Sequence, residues 1–149
     1  MPHKSQPADP SLHLESQLCF ALYSASLAMT KIYKPLLNSI GLTYPQYLVM
    51  LVLWEEDGLI VSEIGDRLFL DSGTLTPLLK RLEATGLLAR LRDTADERRV
   101  RIKLTSAGTR LKSRAADIPS CVHDITGCSL SELLSLSQRV KRFRQRLTG

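Results

Sequence analysis

The chain has 149 residues, of which 44% are hydrophobic and 23% are charged, a balance typical of one folded domain with a real core. Its net charge of +5 is compatible with an anionic partner such as nucleic acid, but does not identify one. Three cysteines and three histidines at irregular spacings exclude a disulfide scaffold and argue against a metal site, and no motif calls for a cofactor.

The first ten residues are polar and contain several prolines. They lack the apolar core of a secretion signal, so we expect residues 1–10 to be a flexible arm on a cytoplasmic protein. No apolar run reaches the roughly 18 to 20 residues that a membrane span needs, and we therefore expect no membrane partner.

Two helices are predicted in the first third of the chain. Apolar residues at three- and four-residue steps indicate an amphipathic helix over residues 11–39, kinked at Pro35 and ended by Gly41. Thr43 is a suitable N-cap for a second helix over residues 45–57. This second helix is apolar nearly all round, so it should be the most buried.

A pair of short helices follows. The first, over residues 61–69, is expected to turn its apolar side chains inward, including Phe69 at its end. Asp71 then caps a helix that carries leucines on one face and is closed by Gly86.

The periodicity then changes from helix to strand. Residues 87–92 and 99–104 alternate apolar with basic side chains, which is typical of a two-stranded ribbon. Thr105 is predicted to cap a long helix that runs towards Gly127 and bends near Pro119. A final helix over residues 132–147 begins after Ser129 or Ser131. The fold class is therefore mostly α with a small β-hairpin.

Helix, turn, helix and basic hairpin is the order of a winged helix-turn-helix. A helix N-terminus in the major groove presents small hydroxyl groups to base edges, while basic residues contact phosphates and an arginine-rich hairpin tip enters a minor groove. The alternative is that these elements merely pack and their charges are a solvated face. The helix pair followed by the basic hairpin favours double-stranded DNA as the binding partner. The candidate DNA-binding residues are Ser72, Thr74, Thr76, Lys80, Arg81, Arg92, Asp96, Arg98 and Arg99.

Three segments carry a family resemblance: "LTYPQYLVMLVLWE", "VSEIGDRLFLDSGTLTPLLKRLEATGLLAR" and "DERRVRIKLTSAG". They resemble the MarR family of transcriptional regulators, in the family's order over residues 11–147. Within it the chain is similar to the organic-hydroperoxide-responsive repressors. The resemblance implies a single MarR-like domain over residues 11–149 that binds a pseudo-palindromic operator. Its winged lobe would be residues 43–104, and its dimerisation helices residues 11–42 and 105–149.

The resemblance also implies that the terminal helices of two chains intertwine as a homodimer. The residues support this independently, because the apolar stripes at both chain ends are more than one small lobe can cover. The alternative is a monomer whose long terminal helices pack on themselves.

The only four tyrosines of the chain follow Cys19 within 28 residues. A thiolate is the form of cysteine that reacts with a peroxide, and hydrogen bonds donated by phenols favour that charged form. Tyr23 lies one helical turn after Cys19 on the same face. Tyr33 lies about 20 Å further along the helix, so it can reach only the Cys19 of another subunit.

The resemblance assigns roles to these residues. It implies that Cys19 senses organic hydroperoxides and that Tyr33 and Tyr44 donate hydrogen bonds to it from the other subunit. Tyr23 matches a third, nearer tyrosine of the pattern. Tyr47 falls outside the pattern and is interpreted as core or pocket wall. The alternative for the cysteine is an inert, buried small hydrophobe.

The thiol that traps oxidised Cys19 is less well defined. Some members of the class use a second cysteine near the start of the last helix, within a cysteine-x-x-x-cysteine pattern, and others use a small cellular thiol. Here Asp124 occupies the first place of that pattern and Cys128 the second. We favour Cys128 as the resolving cysteine, with Cys121 as its rival and the small-thiol route still open.

These observations predict a repressor that releases its operator when Cys19 is oxidised, and not an enzyme. One alternative is a repressor released by reversible binding of a small phenolic ligand. A second is a thiol peroxidase, against which stands the lack of an arginine or threonine near Cys19 to polarise a peroxide.

Overall fold

The computed structural model describes residues 9–149, so most of the expected N-terminal arm lies outside the described residues. Within them the chain forms seven α-helices and one β-hairpin. The elements are α1 (Leu18–Asn38), α2 (Tyr44–Glu55), α3 (Val61–Leu68), α4 (Ser72–Ala84), β1 (Leu88–Arg92), β2 (Val100–Leu104), α5 (Ser106–Ala115), α6 (Ile118–Thr126) and α7 (Leu130–Thr148).

The first helix begins later than predicted. Residues Pro10–Leu12 and Leu14–Ser16 form two short 3₁₀ turns, and α1 starts only at Leu18. The side-chain amide of Gln17 donates to the carbonyl oxygens of Ser11 and His13, at 2.6 and 2.9 Å. Because that amide satisfies these carbonyls, the segment need not continue the helix. The prediction of one helix from residue 11 is therefore wrong at its start, although α1 does continue through Pro35.

Helix α2 forms the centre of the core. Its first turn is closed by a capping box: the Thr43 hydroxyl accepts from the Gln46 N–H at 3.3 Å, and the Gln46 side chain accepts from the Thr43 N–H at 3.0 Å. The Thr43 cap and the burial of α2 are thus confirmed. The buried residues of α2 are Gln46, Tyr47, Val49, Met50, Val52 and Leu53.

The helix pair α3–α4 packs its apolar face against α2. Asp71 caps α4 by accepting from the Thr74 N–H at 2.7 Å, as predicted. Phe69 does not turn inward, and that prediction is wrong: it ends α3 in the left-handed conformation with φ +57°, and its side chain is 57% exposed. The backbone reverses direction at this residue, so its apolar side chain points away from the core.

The hairpin is antiparallel, with Leu88 opposite Leu104 and Arg92 opposite Val100, and both strands agree with the prediction to within a residue. It is attached to the helix pair by the Ile102 N–H, which donates to the carbonyl of Leu59 at 2.8 Å. The hairpin is therefore held to the lobe through the middle of β2.

The predicted long helix after Thr105 is two helices. Thr105 caps α5 as expected, but this helix ends at Ala115. The next helix, α6, begins at Ile118 and has Pro119 in its first turn. Proline is accommodated there because the first N–H groups of a helix need no partner inside it. The bend predicted at Pro119 is thus a break just before it. Ser129, rather than Ser131, caps α7.

The terminal helices carry little of the core. No residue of α7 is buried, and α1 has one buried residue, Leu37. Within residues 9–149, no helix combines the length and the apolar character that crossing a membrane requires.

Candidate functional site

Three tyrosines form a cluster where α1 packs on the start of α2. The ring of Tyr33 lies 4.9 Å from that of Tyr44 and 5.9 Å from that of Tyr47, measured between ring centres. Tyr44 and Tyr47 are 6.4 Å apart and lie one turn from each other on α2. The Thr43 capping box fixes where α2 begins, and so places Tyr44 beside α1.

Burial raises the pKa of all three phenols above the ordinary value for tyrosine. The neighbouring phenols add to this effect at Tyr33 and Tyr47, because a second negative charge beside the first would be unfavourable. All three hydroxyls therefore keep their protons at neutral pH and can donate hydrogen bonds. Tyr47, interpreted from the sequence as core or pocket wall, is buried and packs against both other rings.

Cys19 lies far from this cluster within its own chain. It is the second residue of α1 and is exposed, whereas Tyr33 is about four turns, roughly 20 Å, further along the same helix. Tyr23 lies one turn from Cys19 and is 63% exposed. The predicted thiol and the two predicted donors Tyr33 and Tyr44 are thus not brought together by one chain.

Both ends of the described chain leave large apolar side chains uncovered. Large apolar side chains are exposed on the 3₁₀ turns, on α1 and along α7, the two ends of the chain. The most prominent are Leu12, Leu14, Leu18, Leu27, Leu130, Leu134, Leu136, Val140 and Leu147. Exposed apolar area of this extent marks a surface that another molecule covers.

The two other cysteines are close to each other in sequence and half-buried. Cys121 is on α6, and Cys128 lies between α6 and α7, one residue after Gly127 in its left-handed conformation. The Cys128 sulfur lies 3.7 Å from the carbonyl oxygen of Thr126. All three cysteines are free thiols. Cys128 is therefore at a junction between helices, as the sequence suggested.

Four of the predicted DNA-reading residues share one cleft of the winged lobe. The N-terminus of α4 presents Ser72 and Thr74 to solvent, whereas Leu75, Leu79 and Leu82 of the same helix are buried. A cleft of about 290 Å³ between α4 and the wing is lined by Ser72, Thr76, Arg98 and Arg99. Lys80, Arg81 and Arg92 are exposed. Ser62 at the start of α3 also lines the cleft, and no sequence motif had indicated it.

Acidic residues hold the wing tip in shape. Asp96 accepts from the backbone N–H and the Nε of Arg98, at 3.0 and 3.2 Å, and these bonds lower the pKa of its carboxyl. The Arg98 side chain is nevertheless 91% exposed. Asp93 accepts from the Ala95 N–H and from Arg101, at 3.1 Å in each case. The arrangement directs arginine side chains outward from a fixed turn.

Comparison with known proteins agrees with this architecture. Residues 31–115 match the model of the SarA/Rot family of transcriptional regulators. The chain is 54% identical to the HTH-type transcriptional regulator TtmR of Methylorubrum extorquens, over 93% of this chain and 71% of that one. It is 51% identical to the organic hydroperoxide resistance transcriptional regulator of Bacillus subtilis, over 84% and 85% of the two chains.

The fold is similar to solved structures of AbfR, a protein of Staphylococcus epidermidis. Reduced AbfR bound to DNA superposes with a TM-score of 0.76 and 34% identity, covering 91% of this chain and 95% of that one. The disulfide form of AbfR gives a TM-score of 0.61 at 37% identity, over 91% and 90% of the two chains. The chain belongs to the MarR/SarA-type family of winged helix-turn-helix transcriptional regulators.

Proposed function

We propose that this protein is a homodimeric, DNA-binding repressor that senses organic hydroperoxides by oxidation of Cys19 and then releases its operator. The observation that carries the proposal is the separation of the sensing site into two halves. One chain holds an exposed thiol on an uncovered apolar surface and, about 20 Å away, a cluster of protonated phenols. A two-fold axis between two such chains can bring the halves together.

In that dimer the phenols of one chain would surround the thiol of the other. Tyr33 and Tyr44 would donate hydrogen bonds to the sulfur of Cys19, with Tyr23 nearer to it in sequence. Each such bond to a charged acceptor contributes about 1.5 to 3 kcal/mol, so two of them favour the reactive thiolate. The name of the Bacillus subtilis relative supports organic hydroperoxides as the oxidants.

The chemistry is a two-electron oxidation of sulfur. The thiolate attacks the terminal oxygen of ROOH, an S–O bond forms, and the O–O bond breaks. The alkoxide takes a proton and leaves as the alcohol, and the sulfur is left as sulfenic acid. A second thiol then attacks that sulfur, forming a disulfide and releasing water. We assign this second thiol to Cys128 first, with Cys121 or a small cellular thiol as rivals.

DNA release would follow from movement of the two lobes relative to each other. The recognition helices α4 of a dimer must enter major grooves about one DNA turn apart, and the wings must reach the flanking minor grooves. Linking the thiol of one chain to a sulfur at the α6–α7 junction of the other pulls on both dimerisation segments. A few ångströms of displacement would remove one half-site from reach. A regulator of this kind acts on the chromosome, so we place it in the cytoplasm.

The test measures DNA binding during oxidation. Duplex DNA selected in vitro for binding to the reduced protein serves as the probe, and fluorescence anisotropy is followed during titration with cumene hydroperoxide. We expect the wild type to release DNA and to rebind it after dithiothreitol, and Cys19→Ser to stay bound. Cys128→Ser and Cys121→Ser test the assignment of the second thiol, and mass spectrometry without reductant identifies the sulfur joined to Cys19.

Two results would contradict this function. If Cys19→Ser is released by hydroperoxide like the wild type, Cys19 is not the sensor. If each thiol consumes many equivalents of hydroperoxide without an added reductant system, the protein is a peroxidase and not a regulator.

One observation favours a second candidate function, a repressor released by a small reversible ligand. A cavity of about 290 Å³ lies between α2 and the α5–α6 break, beside Tyr47, and is lined by Leu51, Trp54 and Pro119 among others. Its size is close to the lower limit for small-molecule sites. Release of DNA by a non-oxidising phenol, persisting in Cys19→Ser, would select this candidate.

A further inference from the structure

The C-terminal half of α7 is strongly basic. Its only acidic residue, Glu132, lies in the first turn, whereas five basic side chains lie within the eight residues 139–146. Within residues 9–149, none of the five is paired with a carboxylate, and all are exposed. This segment, the basic end of α7, comprises Arg139, Lys141, Arg142, Arg144 and Arg146 with the residues between them.

Three of these charges lie on a face of their own. Arg139, Arg142 and Arg146 follow at steps of three and four residues, so they project from one side of the helix. The exposed apolar stripe with Leu136 and Val140 lies about 100° away around the helix axis. A dimer that covers the stripe would therefore leave the three arginines at its surface.

The basic end of α7 lies beside the helix-turn-helix. The Arg144 guanidinium is 4.2 Å from the centre of the Phe69 ring. Phe69 is three residues before Ser72, the first residue of α4, and three residues span at most about 11 Å. Arg144 is thus on the order of 20 Å or less from the N-terminus of the recognition helix, which is shorter than one DNA turn of about 34 Å. A duplex that α4 enters therefore brings its phosphates close to the basic end of α7.

The contact with Phe69 also orients Arg144. A guanidinium that stacks on an aromatic ring through its flat face keeps its N–H donors at its edge, where they match the oxygens of a phosphate. The left-handed conformation of Phe69 turns the ring out of the core, and so makes it available for this contact. The outward position of Phe69 thus has a use in holding a cation.

We propose that the basic end of α7 is a second DNA-contacting surface, which binds phosphates of the backbone beside the major groove that α4 enters. The inference rests on the DNA binding in the proposed function. A duplex carries one negative charge per about 1.7 Å of its axis, so these contacts add affinity without reading bases. The position beside α4, where the lobe already holds a duplex, favours DNA over an acidic protein segment or an anionic lipid surface.

The test measures how tightly the reduced full-length protein binds two duplexes, without any oxidant. One duplex is selected in vitro for binding, and the other has the same length and a scrambled sequence. Fluorescence anisotropy is followed over a range of NaCl concentrations. Arg142→Gln with Arg146→Gln should weaken binding of both duplexes by a similar factor, about 10-fold or more. The slope of log affinity against log salt concentration should become shallower by about 2, because two phosphate contacts are lost.

The matched control is Arg110→Gln with Lys112→Gln, which removes the same charge from α5. Arg110 lies beside the C-terminal end of α1, and Lys112 lies beside Tyr47, so neither adjoins the start of α4. This variant should keep the affinity and the salt slope of the wild type. Sedimentation velocity and circular dichroism compare the dimer and the fold of both variants with those of the wild type.

A second measurement tests Phe69 as the positioning residue for Arg144. Arg144→Gln and Phe69→Leu should each weaken DNA binding by about 2- to 5-fold, the size expected of an exposed cation–π contact. Their combination should weaken it no more than Arg144→Gln alone, because the ring acts through this guanidinium. Equal and strictly multiplicative losses would show that Phe69 does not hold Arg144 for DNA.

The remaining outcomes separate this inference from the proposed function. If the Arg142→Gln, Arg146→Gln variant keeps the wild-type affinity and salt slope, the inference is wrong and the sensor function stands. The inference is also overturned if the α5 control loses as much affinity, if only the selected duplex is affected, or if the variant no longer dimerises. If the reduced wild type binds neither duplex, the proposed function itself fails.

Discussion

The winged lobe and the ends of the chain are built in different ways. In the lobe, Thr43 and Asp71 cap their helices, and the core residues Leu75, Leu79 and Ile102 are completely enclosed. At the ends, α7 has no buried residue and α1 exposes leucines along its first half. The core of the lobe is therefore enclosed within one chain, whereas the ends leave large apolar side chains exposed.

This difference indicates where chemistry can control DNA binding. A surface that reads DNA must keep its shape, and the lobe has the packing to do so. In the proposed dimer the sensing site is divided between two chains, so oxidation there would change the position of whole lobes without unfolding them. Predictions that act on one region and spare the other test this division.

The largest loss of stability should come from substitution of Gly108, the residue through which α5 contacts the lobe. Its carbonyl accepts from the Trp54 indole at 2.9 Å, and a Cβ at this position would lie 2.0 Å from the carbonyl oxygen of Leu87. Gly108→Ala should therefore cost about 3 kcal/mol or more of unfolding free energy and lower Tm by about 10 °C. Thermal circular dichroism measures the change.

The control for this prediction is Gly73→Ala in α4. A Cβ there meets only the Asp71 carboxylate oxygen at 3.4 Å, so the variant should gain about 0.5 to 1 kcal/mol from helix propensity. A wild-type Tm for Gly108→Ala would show that α5 is not held against the lobe as described.

The next largest effect should be on dimerisation, through substitutions at the C-terminal end of the chain. Leu136→Glu with Val140→Glu places two charges in the exposed apolar stripe of α7. Each side chain is worth about 1.5 to 3 kcal/mol when buried, so the dimer dissociation constant should rise at least about 100-fold. Sedimentation velocity measures the dissociation.

The matched control is Gln138→Glu with Gln145→Glu, which adds the same charge on the opposite face of α7. It should remain as dimeric as the wild type, and the lobe should stay folded in both variants. Unchanged dimerisation of the Leu136→Glu, Val140→Glu variant would refute the assignment of α7 to the interface.

Lowering the pH should reduce the stability of the lobe through its carboxylates. It should not act through α1, which has no carboxylate. Hydrogen bonds from the Ala95 N–H and then Arg101 lower the pKa of Asp93, and bonds from the Arg90 N–H and side chain lower the pKa of Glu83. A lowered folded-state pKa gives stability that is full above the unfolded value, about 3.9 for aspartate and 4.3 for glutamate. That stability is lost as the pH falls through the folded value.

Thermal unfolding between pH 7 and pH 2 measures this dependence. Asp93→Asn should have a lower Tm than the wild type at pH 7, and its Tm should fall less steeply as the pH is lowered. Asp66→Asn, which removes an exposed carboxylate of α3, should keep the wild-type profile. If the Tm of Asp93→Asn falls as steeply with pH as that of the wild type, the Asp93 carboxylate does not contribute to the acid sensitivity of folding.

The smallest change in stability should come from loss of the contact between α7 and the winged lobe. The Arg144 guanidinium of α7 lies 4.2 Å from the centre of the Phe69 ring in the helix-turn-helix. Exposed cation–π pairs are worth about 0.5 to 1 kcal/mol, so Arg144→Ala should lower Tm by about 2 to 3 °C. Arg146→Ala, on the same helix, should have no effect.

A double-substitution cycle isolates this pair. If Arg144 and Phe69 interact, combining Arg144→Ala with Phe69→Leu should cost less than the sum of the two single changes. Strictly additive losses would show that the end helix and the lobe are energetically independent.

The sequence predicted features whose causes are local. The caps Thr43, Asp71 and Thr105 each satisfy N–H groups a few residues away, so their identity and position were sufficient. The hairpin followed from alternation along each strand. The outward position of Phe69 and the break before Pro119 follow instead from the backbone conformation at Phe69 and from the end of α5 at Ala115, and the spacing of apolar residues predicted neither.

The site divides in the same way. The family resemblance supplied the pattern of Cys19 with Tyr33 and Tyr44, and the packing of α1 on α2 brought the two tyrosines together. The inclusion of Tyr47 in the cluster depends on tertiary contacts that no local pattern encodes. Within one chain the thiol lies about 20 Å from Tyr33, and the meeting of thiol and phenols belongs to the proposed dimer.

The most direct test of the divided site is a mixed dimer. One chain carries Tyr33→Phe and Tyr44→Phe and keeps its thiol, while the other carries Cys19→Ser and keeps its tyrosines. If each thiol is served by the phenols of the other chain, this dimer should react with cumene hydroperoxide at the wild-type rate per thiol, and the doubly substituted homodimer at least about 10-fold more slowly. A mixed dimer as slow as that homodimer would place thiol and phenols in one chain and contradict the account.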